Sequence, residues 1–385
     1  MKKYFILSFV AVCLALVSCQ KQRLAEGFGS QTNEIALKGA TVPTKSAIEG
    51  TVFPVGYSML VSAYRNPAKT TDPTVGYGDV ASNYFENILF KNEGGVTWLP
   101  ATTKYWPLNG TLDFLCIASA GLRNTATGVV PDCAWGDNIG AANNNVAKKV
   151  VATIPNNSGK FDDILYGSSN EQTFVASGTP IDFKHAMCAV VFFAKSSNEP
   201  YDDDLNLGIT LTAITVNSPT TSGTLTVENP KAGRGSGNMT ASWTLGSDIP
   251  TTLSARKWNP NGNGIDPAEP AFNFLHLTDK FSDNALNTPG PTYTDIVTYP
   301  FGDAYVILPP QTPKSFTISY TLHNGYKDDG STRLSHNLSY TYTPDVSQEW
   351  AMGKKVIYMI DITLDRIEIA PKVIDWIDDF REEEI

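Results

Sequence analysis

Few residues of this chain have the types and spacing needed for acid–base or metal chemistry. Its four histidines are scattered without ligand spacing: His185, His276, His323 and His336. His336 lies on the apolar side of an alternating segment, which is typical of a core histidine. The carboxylates of Asp162 and Asp163 would point to opposite faces of a strand and could not act together on one substrate. Because G-x-S-x-G, H-E-x-x-H and P-loop motifs are also absent, we predict a protein that is not an enzyme.

A loop rich in asparagine and glycine, residues 259–266, imitates the spacing of a calcium-binding loop. Its first three oxygen-bearing side chains are neutral amides rather than carboxylates. Pro270 stands at the position where such a loop needs a bidentate glutamate. We therefore interpret this segment as an ordinary surface loop, and we expect the chain to bind no metal ion or other cofactor.

Cys19 is the cysteine with the most definite predicted chemistry. Two lysines and an apolar run from Tyr4 to Val17 precede it, which is the pattern of an export signal and is shorter than the roughly 20 residues of a membrane span. The junction Leu16-Val17-Ser18-Cys19 resembles the bacterial lipobox, in which the cysteine becomes the first mature residue and carries the lipid. A small-residue cleavage site that contains a cysteine by coincidence is the alternative. We predict a lipoprotein signal peptide over residues 1–18, lipidation of Cys19, and a flexible tether over 19–34.

The other cysteines do not indicate a disulfide framework. Three of the five cysteines remain once Cys13 leaves with the signal peptide and Cys19 is acylated. Cys116 and Cys188 lie in apolar segments, where a cysteine usually packs as a small hydrophobic residue. The odd number leaves a bridge between Cys116 and Cys133 as an open alternative.

The charge balance argues against two classes of partner. The chain carries a formal net charge of −10. Removal of the signal peptide takes two of the 29 basic residues and no acidic one, which leaves 27 basic against 39 acidic groups and a net charge of −12. Such an acidic surface disfavours binding to nucleic acid and to anionic lipid. The length of 385 residues predicts about two domains.

The elements that must position these residues are predicted to be strands, because the hydrophobic period is two rather than 3.6. Residues 316–322 and 334–342 alternate on either side of the turn KDDGST, which predicts a long antiparallel hairpin. Alternation in 207–216 changes parity after Leu211, and alternation in 356–369 requires a bulge or turn at Asp365-Arg366. No segment shows convincing helical amphipathicity, so the sequence predicts an all-β chain of the sandwich type.

Aromatic residues gather in the segment VTWLPATTKYWPLNG. Trp98, Tyr105 and Trp106 could form a platform that stacks sugar rings. Their spacing beside prolines is more typical of aromatics that close the end of a sandwich core. We favour the core interpretation and keep glycan binding as the alternative.

Five segments in order give the chain a resemblance to the fimbrillin family, the pilins of Bacteroidales surface fimbriae. The segments are TVPTKSAIEGTVFPVGYSMLVSAY, GGVTWLPATTKYWPLNGTLDFLCIASAG, FDDILYGSS, PIDFKHAMCAVVFFA and EWAMGKKVIYMIDITLDRIEI followed by VIDW. The resemblance implies an all-β fold with two transthyretin-like β-sandwich domains in tandem. It would place the N-terminal domain at residues 35–174 and the C-terminal domain at 175–385.

The resemblance also implies a route of assembly. Such pilins reach the outer membrane as lipoproteins, lose their N-terminal strand to a trypsin-like protease, and accept a strand from a neighbouring subunit in the vacated groove. Here Ile35 and Leu37 alternate as a removable first strand should, and Lys45 matches the processing position. The best-known processing enzymes prefer arginine, but a cut at Arg23 would leave the strand in place. A solvated loop lysine is the alternative interpretation of Lys45.

The strand that would be donated is less well defined. Nine residues follow Trp376, and five of them are acidic, so the tail offers no long alternating donor and could be a solvated end. Ile374 and Trp376 in PKVIDWI are the donor-strand candidates. The missing donor favours a tip or accessory subunit.

The implied partners are other fimbrial subunits, a trypsin-like processing protease, the outer membrane through the lipid, and an unknown ligand on a host or bacterial surface. The expected location is therefore the outer membrane and then the cell-surface fimbria, with a role in adhesion. A permanently anchored surface lipoprotein that binds glycans through Trp98 and Trp106 is the alternative.

Overall fold

The computed structural model describes thirteen stretches of the chain. They are residues 34–40, 44–45, 49–50, 58–66, 82–91, 97–119, 132–135, 148–154, 164–197, 201–229, 238–255, 275–277 and 304–375. Every regular element within them is a β-strand, which confirms the predicted all-β class. They contain no helix long and apolar enough to cross a membrane.

The strands are numbered in chain order. The first eleven are β1 (Leu37–Ala40), β2 (Thr44–Lys45), β3 (Glu49–Gly50), β4 (Ser58–Asn66), β5 (Ser82–Lys91), β6 (Thr97–Pro100), β7 (Thr111–Ser119), β8 (Asp132–Trp135), β9 (Lys148–Ile154), β10 (Ile164–Gln172) and β11 (Thr179–His185). The others are β12 (Cys188–Lys195), β13 (Leu207–Asn217), β14 (Gly223–Asn229), β15 (Thr240–Leu245), β16 (Thr252–Ser254), β17 (Leu275–His276), β18 (Ala304–Leu308), β19 (Phe316–Tyr326), β20 (Arg333–Tyr342), β21 (Lys354–Ile362) and β22 (Ile367–Asp375).

Seven strands of the first half form a closed barrel in the order β1-β11-β10-β7-β4-β5-β6. Alternate side chains fill its interior: along β11, Thr179, Ile181, Phe183 and His185 are buried while the residues between them are exposed. The ring of Phe114 packs against the rings of Phe85 and Trp106, with centroids 6.5 and 5.7 Å away. These rings belong to the same hydrophobic core as the buried side chain of Leu37 in β1.

The second half contains two four-stranded sheet paths, β18-β12-β21-β22 and β16-β13-β19-β20, and β17 also pairs with β13. The central strands β12 and β21 run parallel and are buried along most of their length. Between the two sheets Phe316 packs against Phe192 and Tyr358, with ring centroids 5.0 and 4.9 Å away. These aromatic contacts form the core of this half.

One further sheet contains strands from both halves of the chain. Its order is β15-β14-β9-β8, and its two halves are joined where β9 (148–154) pairs antiparallel with β14 (223–229). Strand β11 lies within the range 175–385 that the sequence assigns to the C-terminal domain, but it pairs with β10 and β1 of the barrel. The transthyretin-like form and the division into domains at residues 174 and 175 stay predictions.

The local predictions can be compared with the strand pairing. Strands β19 and β20 form the predicted hairpin, in which Phe316 is opposite Tyr342. Strand β13 has its irregularity between Leu211 and Ala213, where the parity change predicts it. The turn between β21 and β22 closes with a hydrogen bond from the N–H of Thr363 to the carbonyl of Arg366 (2.9 Å). These three predictions are confirmed.

The interpretation of His336 as a core histidine is wrong. His336 is exposed, because β20 is the last strand of its sheet path and is largely exposed on both faces. Alternation in the sequence assigns a side chain to a face of the sheet. It does not reveal whether another layer covers that face.

Candidate functional site

The candidate site is the position that β1 occupies in the barrel, between β11 and β6. On one side β1 pairs in parallel with β11, where Leu37 is opposite Thr179. On the other side it pairs antiparallel with β6, where Leu37 is opposite Trp98. We call this position the first-strand slot: the space occupied by residues 35–40 between those two strands. Since β1 pairs with both neighbours, it closes the barrel.

Backbone hydrogen bonds also fix the two residues that precede β1, Ile35 and Ala36. The N–H of Ile35 donates to the carbonyl of Lys104 (2.7 Å), and the N–H of Thr179 donates to the carbonyl of Ala36 (2.9 Å). Glu34 forms an isolated antiparallel bridge with Tyr105. The segment that enters β1 is therefore paired from residue 34 onward.

The side chains of Ile35 and Leu37 point into the barrel and are fully buried. Ala36 is half-buried and Lys38 is exposed, so the alternation expected of these residues is present. Full burial of one such aliphatic side chain contributes about 1.5–3 kcal/mol. The two side chains are thus a large part of what holds so short a strand in place.

Gly178 permits the close approach of β1 to the turn before β11. Its φ is +87°, in the region that side chains disfavour. A Cβ atom built at this position would lie 3.3 Å from the carbonyl carbon of Leu37 and 3.4 Å from the nitrogen of Lys38. A larger residue would therefore press on the backbone of the first strand as well as strain its own.

The aromatic segment beside the slot belongs to the core. Trp98 and Trp106 are buried, and the Trp106 ring meets Phe114 edge-on. This arrangement confirms the core interpretation for Trp98 and Trp106. The glycan-binding alternative fails for these two residues, because neither indole ring has a free face at the surface. Tyr105, the third member of the set, is exposed, so the core interpretation is wrong for this residue.

The other predicted site residues are not brought to the slot by the described contacts. Cys19 and Trp376 lie outside the described residues, as do Asp162, Asp163 and the loop at 259–266. Lys45 ends β2 and is paired with Glu49 of β3 in a two-stranded sheet. Ile374 lies in β22, opposite Lys355 of β21, and packs against the core.

The described cysteines lie in apolar surroundings. Cys116 and Cys188 are free and fully buried, as expected for cysteines in apolar segments. Burial raises the pKa of both thiols, because the thiolate form would lose its hydration. Neither thiol is therefore suited to nucleophilic chemistry.

Two histidines that the sequence leaves apart meet in the second half. His276 Nδ1 and His323 Nε2 each lie 2.8 Å from the hydroxyl oxygen of Thr210. The ring of Tyr201 stacks on His276 with centroids 3.6 Å apart. Partial burial is the main cause that lowers the pKa of both imidazoles. Only the pairing of β17 and β19 with β13 unites these residues, so no local pattern could have revealed them.

The described part of the chain holds no group of three or more histidine, cysteine or acidic residues that could bind a metal ion. Its most distinctive feature is an all-β barrel whose short first strand closes the sheet. The fold and the first-strand slot thus define a class of protein: an all-β protein whose barrel is completed by one short strand.

The sequence model of the family described as Fimbrillin-like matches residues 50–376. The chain belongs to this family, which confirms the resemblance drawn from its sequence segments. Membership supports a role as a fimbrial subunit at the cell surface, assembled with other fimbrial subunits. No curated protein matches the chain significantly.

Solved structures of fimbrial proteins align with most of the chain at low identity. A fimbrial protein from Bacteroides vulgatus is 13% identical, with 89% of this chain and 99% of that chain covered and a TM-score of 0.46. The tip fimbrial protein Mfa3 from Porphyromonas gingivalis, with a C-terminal truncation, is 11% identical, with 89% and 99% covered and a TM-score of 0.33.

Proposed function

We propose that this chain is a structural, tip or accessory subunit of a cell-surface fimbria, used in adhesion and assembled by protease-triggered strand exchange. In this proposal the first-strand slot is emptied by proteolysis and refilled by a strand from a neighbouring subunit. The observation that carries the proposal is the pairing of β1 with both β11 and β6, together with the complete burial of Ile35 and Leu37.

Loss of β1 would leave the barrel open at a position where a replacement strand could bind. Strands β11 and β6 would become sheet edges with unpaired N–H and C=O groups, and such edges readily pair with another chain. The positions of Ile35 and Leu37 would become apolar pockets opening into the barrel core. Main-chain pairing would supply affinity for the incoming strand, and the pockets would supply its register.

The position of Lys45 suits this proposal. A cut after Lys45 would separate β1, which ends at Ala40, from the rest of the barrel. The region matched by the family begins at residue 50, beyond that cut. Cleavage at Arg23 would leave β1 joined to the chain. We infer that a trypsin-like protease acts at Lys45 and releases β1 with the lipidated Cys19.

The proposed route begins at the membrane. Lipidation of Cys19 would hold the exported chain at the outer membrane until the cut at Lys45 frees the remainder for the fimbria.

The C-terminal segment is the candidate donor, with Ile374 and Trp376 as its apolar side chains. Ile374 lies in β22, the last strand of its sheet path, so donation would require β22 to separate from β21. A tip subunit needs only to accept a strand, and we favour that position in the fimbria.

The N-terminus of the surface-exposed protein tests this proposal. Mass spectrometry of fimbriae from the native cell should identify a chain that begins at Ser46. Lys45→Ala should remain lipidated at Cys19 and should not enter fimbriae, while Lys38→Ala, which changes an exposed lysine of β1, should be processed normally. Incorporation of Lys45→Ala at the normal level, with its N-terminus intact, would refute the proposed cut.

A further inference from the structure

Strand β20 has the features of an open sheet edge. It contains ten residues and, among the described strands, it pairs with β19 alone. The side chains on both of its faces are exposed, except that Leu334 and Tyr342 are half-buried. A long exposed outer strand can pair with another chain through its backbone N–H and C=O groups. The outer edge of β20 is therefore a candidate interface.

The other outer strands of the two sheet paths in the second half carry features that hinder such pairing. Strand β16 has three residues, and residues 306–308 of β18 are buried. Strand β22 contains Pro371, which has no N–H to donate, and the charged Lys372. Short length, cover, proline and lysine are usual means of protecting an edge strand. Strand β20 has no proline, lysine or acidic residue, and Arg333 at its first position is its one charged residue.

The core-side face of β20 carries two large apolar side chains that are only partly covered. Leu338 and Tyr340 are opposite Tyr320 and Ile318 of β19, and directly opposite residues share a face of the sheet. Ile318 is fully buried in the core, whereas Leu338 is 42% and Tyr340 is 41% exposed. The sheet thus extends its apolar face to an outer strand where this face still has surface to bury.

We propose that β20 pairs antiparallel with β20 of a second copy of this chain, about a two-fold axis at Leu338. The pairing would join the two sheets that contain β20 into one continuous sheet. It uses no part of the first-strand slot, so it is compatible with a subunit that accepts a strand and donates none. Two tip subunits paired in this way would join two fimbriae at their ends.

The apolar pattern of β20 favours its own copy as the partner. Leu338 is the middle residue of 334–342, so a pair centred on it matches this segment over its whole length. The residues of the core-side face would then meet one another: Leu338 its own counterpart, Tyr340 the imidazole of His336, and Tyr342 the side chain of Leu334. Aromatic and aliphatic cross-strand pairs of this kind stabilise antiparallel sheets.

The polar face and the charge of β20 match in the same register. Asn337 would be opposite Ser339, so an amide meets a hydroxyl with which it can form a hydrogen bond. Arg333 would be opposite Thr343 of the second copy, and the two guanidinium groups would lie at opposite ends of the paired strands. Like charges directly opposite each other destabilise a strand pair, and this register contains none.

Charge exchange at position 338 tests both the occupant and the register. Leu338→Lys alone, and Leu338→Glu alone, would put like charges opposite each other at the two-fold axis and should weaken self-association by about tenfold or more. An equimolar mixture of the two variants would put opposite charges there and should associate as a heterodimer. Val373→Lys is the matched control, because Val373 is 40% exposed in β22. It should dimerise like the unsubstituted chain.

The experiment uses the purified mature chain without protease, so that β1 stays in the first-strand slot. Sedimentation equilibrium gives the dissociation constant, native mass spectrometry identifies the heterodimer by its mass, and circular dichroism confirms that each variant is folded. An unsubstituted chain that stays monomeric, or Leu338→Lys that dimerises as strongly as Val373→Lys, would overturn the inference. A mixture that associates no better than the single variants would also overturn it.

These results are separable from those that test strand exchange. The dimer is measured on the uncut chain, whereas the exchange requires the cut at Lys45. Failure of β20 to self-associate would leave the proposed exchange intact, and an uncut Lys45 in native fimbriae would leave the β20 pairing intact.

Discussion

Substitution of Leu37 by alanine measures how strongly the first strand is held. Leu37 is the first residue of β1, and its side chain is fully buried. Its backbone is opposite Thr179 of β11 on one side and Trp98 of β6 on the other. Truncation of a buried leucine to alanine costs about 2–5 kcal/mol, because apolar contacts are lost and a cavity remains. Every 1.4 kcal/mol corresponds to about a tenfold change in an equilibrium constant. We therefore expect Leu37→Ala to favour opening of the slot by at least about 30-fold.

Hydrogen exchange in the uncut chain reads this opening directly. The amide of Ile35 is protected by its bond to Lys104, and the amide of Thr179 by its bond to Ala36. Both amides should become exchangeable when β1 leaves the slot. In Leu37→Ala their protection factors should fall by about 30-fold or more.

Lys38→Ala is the matched control for this measurement. Lys38 is the next residue of the same strand, but its side chain is exposed. A surface substitution of this kind should change protection by about twofold, which corresponds to less than 0.5 kcal/mol. Equal loss of protection in Leu37→Ala and Lys38→Ala would refute the claim that buried side chains hold β1.

Two further predictions concern other parts of the structure. Gly178→Ala should lower the midpoint of urea unfolding and also the protection of the Thr179 amide, because the added methyl group meets the backbone of β1 and φ is positive; an unchanged midpoint would contradict this account. The pKa of His276 and of His323 is lowered in the folded chain, so fewer protons bind to the folded than to the unfolded state, and stability should fall as the pH drops below about 6.5. The fall in urea midpoint between pH 7 and pH 5 should be smaller in a His276→Gln, His323→Gln variant, and an equal fall in both proteins would rule out these histidines as its cause.

Local patterns predicted the parts of the fold that depend on neighbouring residues. The turn after Tyr326 joins strands that are adjacent in sequence, so alternation on its two sides was enough to define the hairpin. The parity change after Leu211 likewise marked a real irregularity in β13. The burial of Ile35 and Leu37 followed from alternation and from the family resemblance together.

Pairings between distant segments could not be predicted in this way. Strand β1 meets β11 across about 140 residues, and β9 meets β14 across about 70. Periodicity identifies each strand but contains no information about its partner. The same limit explains the missed cluster around Thr210 and the wrong interpretation of His336, because both depend on which strands lie side by side and which faces are covered.

The short length of β1 restricts what a replacement strand must contain. Strand β1 pairs over four residues with β11 and over two with β6, and each hydrogen bond contributes only about 0.5–1.5 kcal/mol net. Any extended chain can form the backbone hydrogen bonds of the ladder. Selection of one donor strand over another must therefore come from the two pockets that Ile35 and Leu37 occupy. A donor therefore needs apolar side chains at positions i and i+2. Ile374 and Trp376 have this spacing, but an indole ring is larger than the leucine side chain. Under the proposed exchange, the pocket of Leu37 would have to enlarge for this donor, whereas a donor with two aliphatic side chains would fit without adjustment.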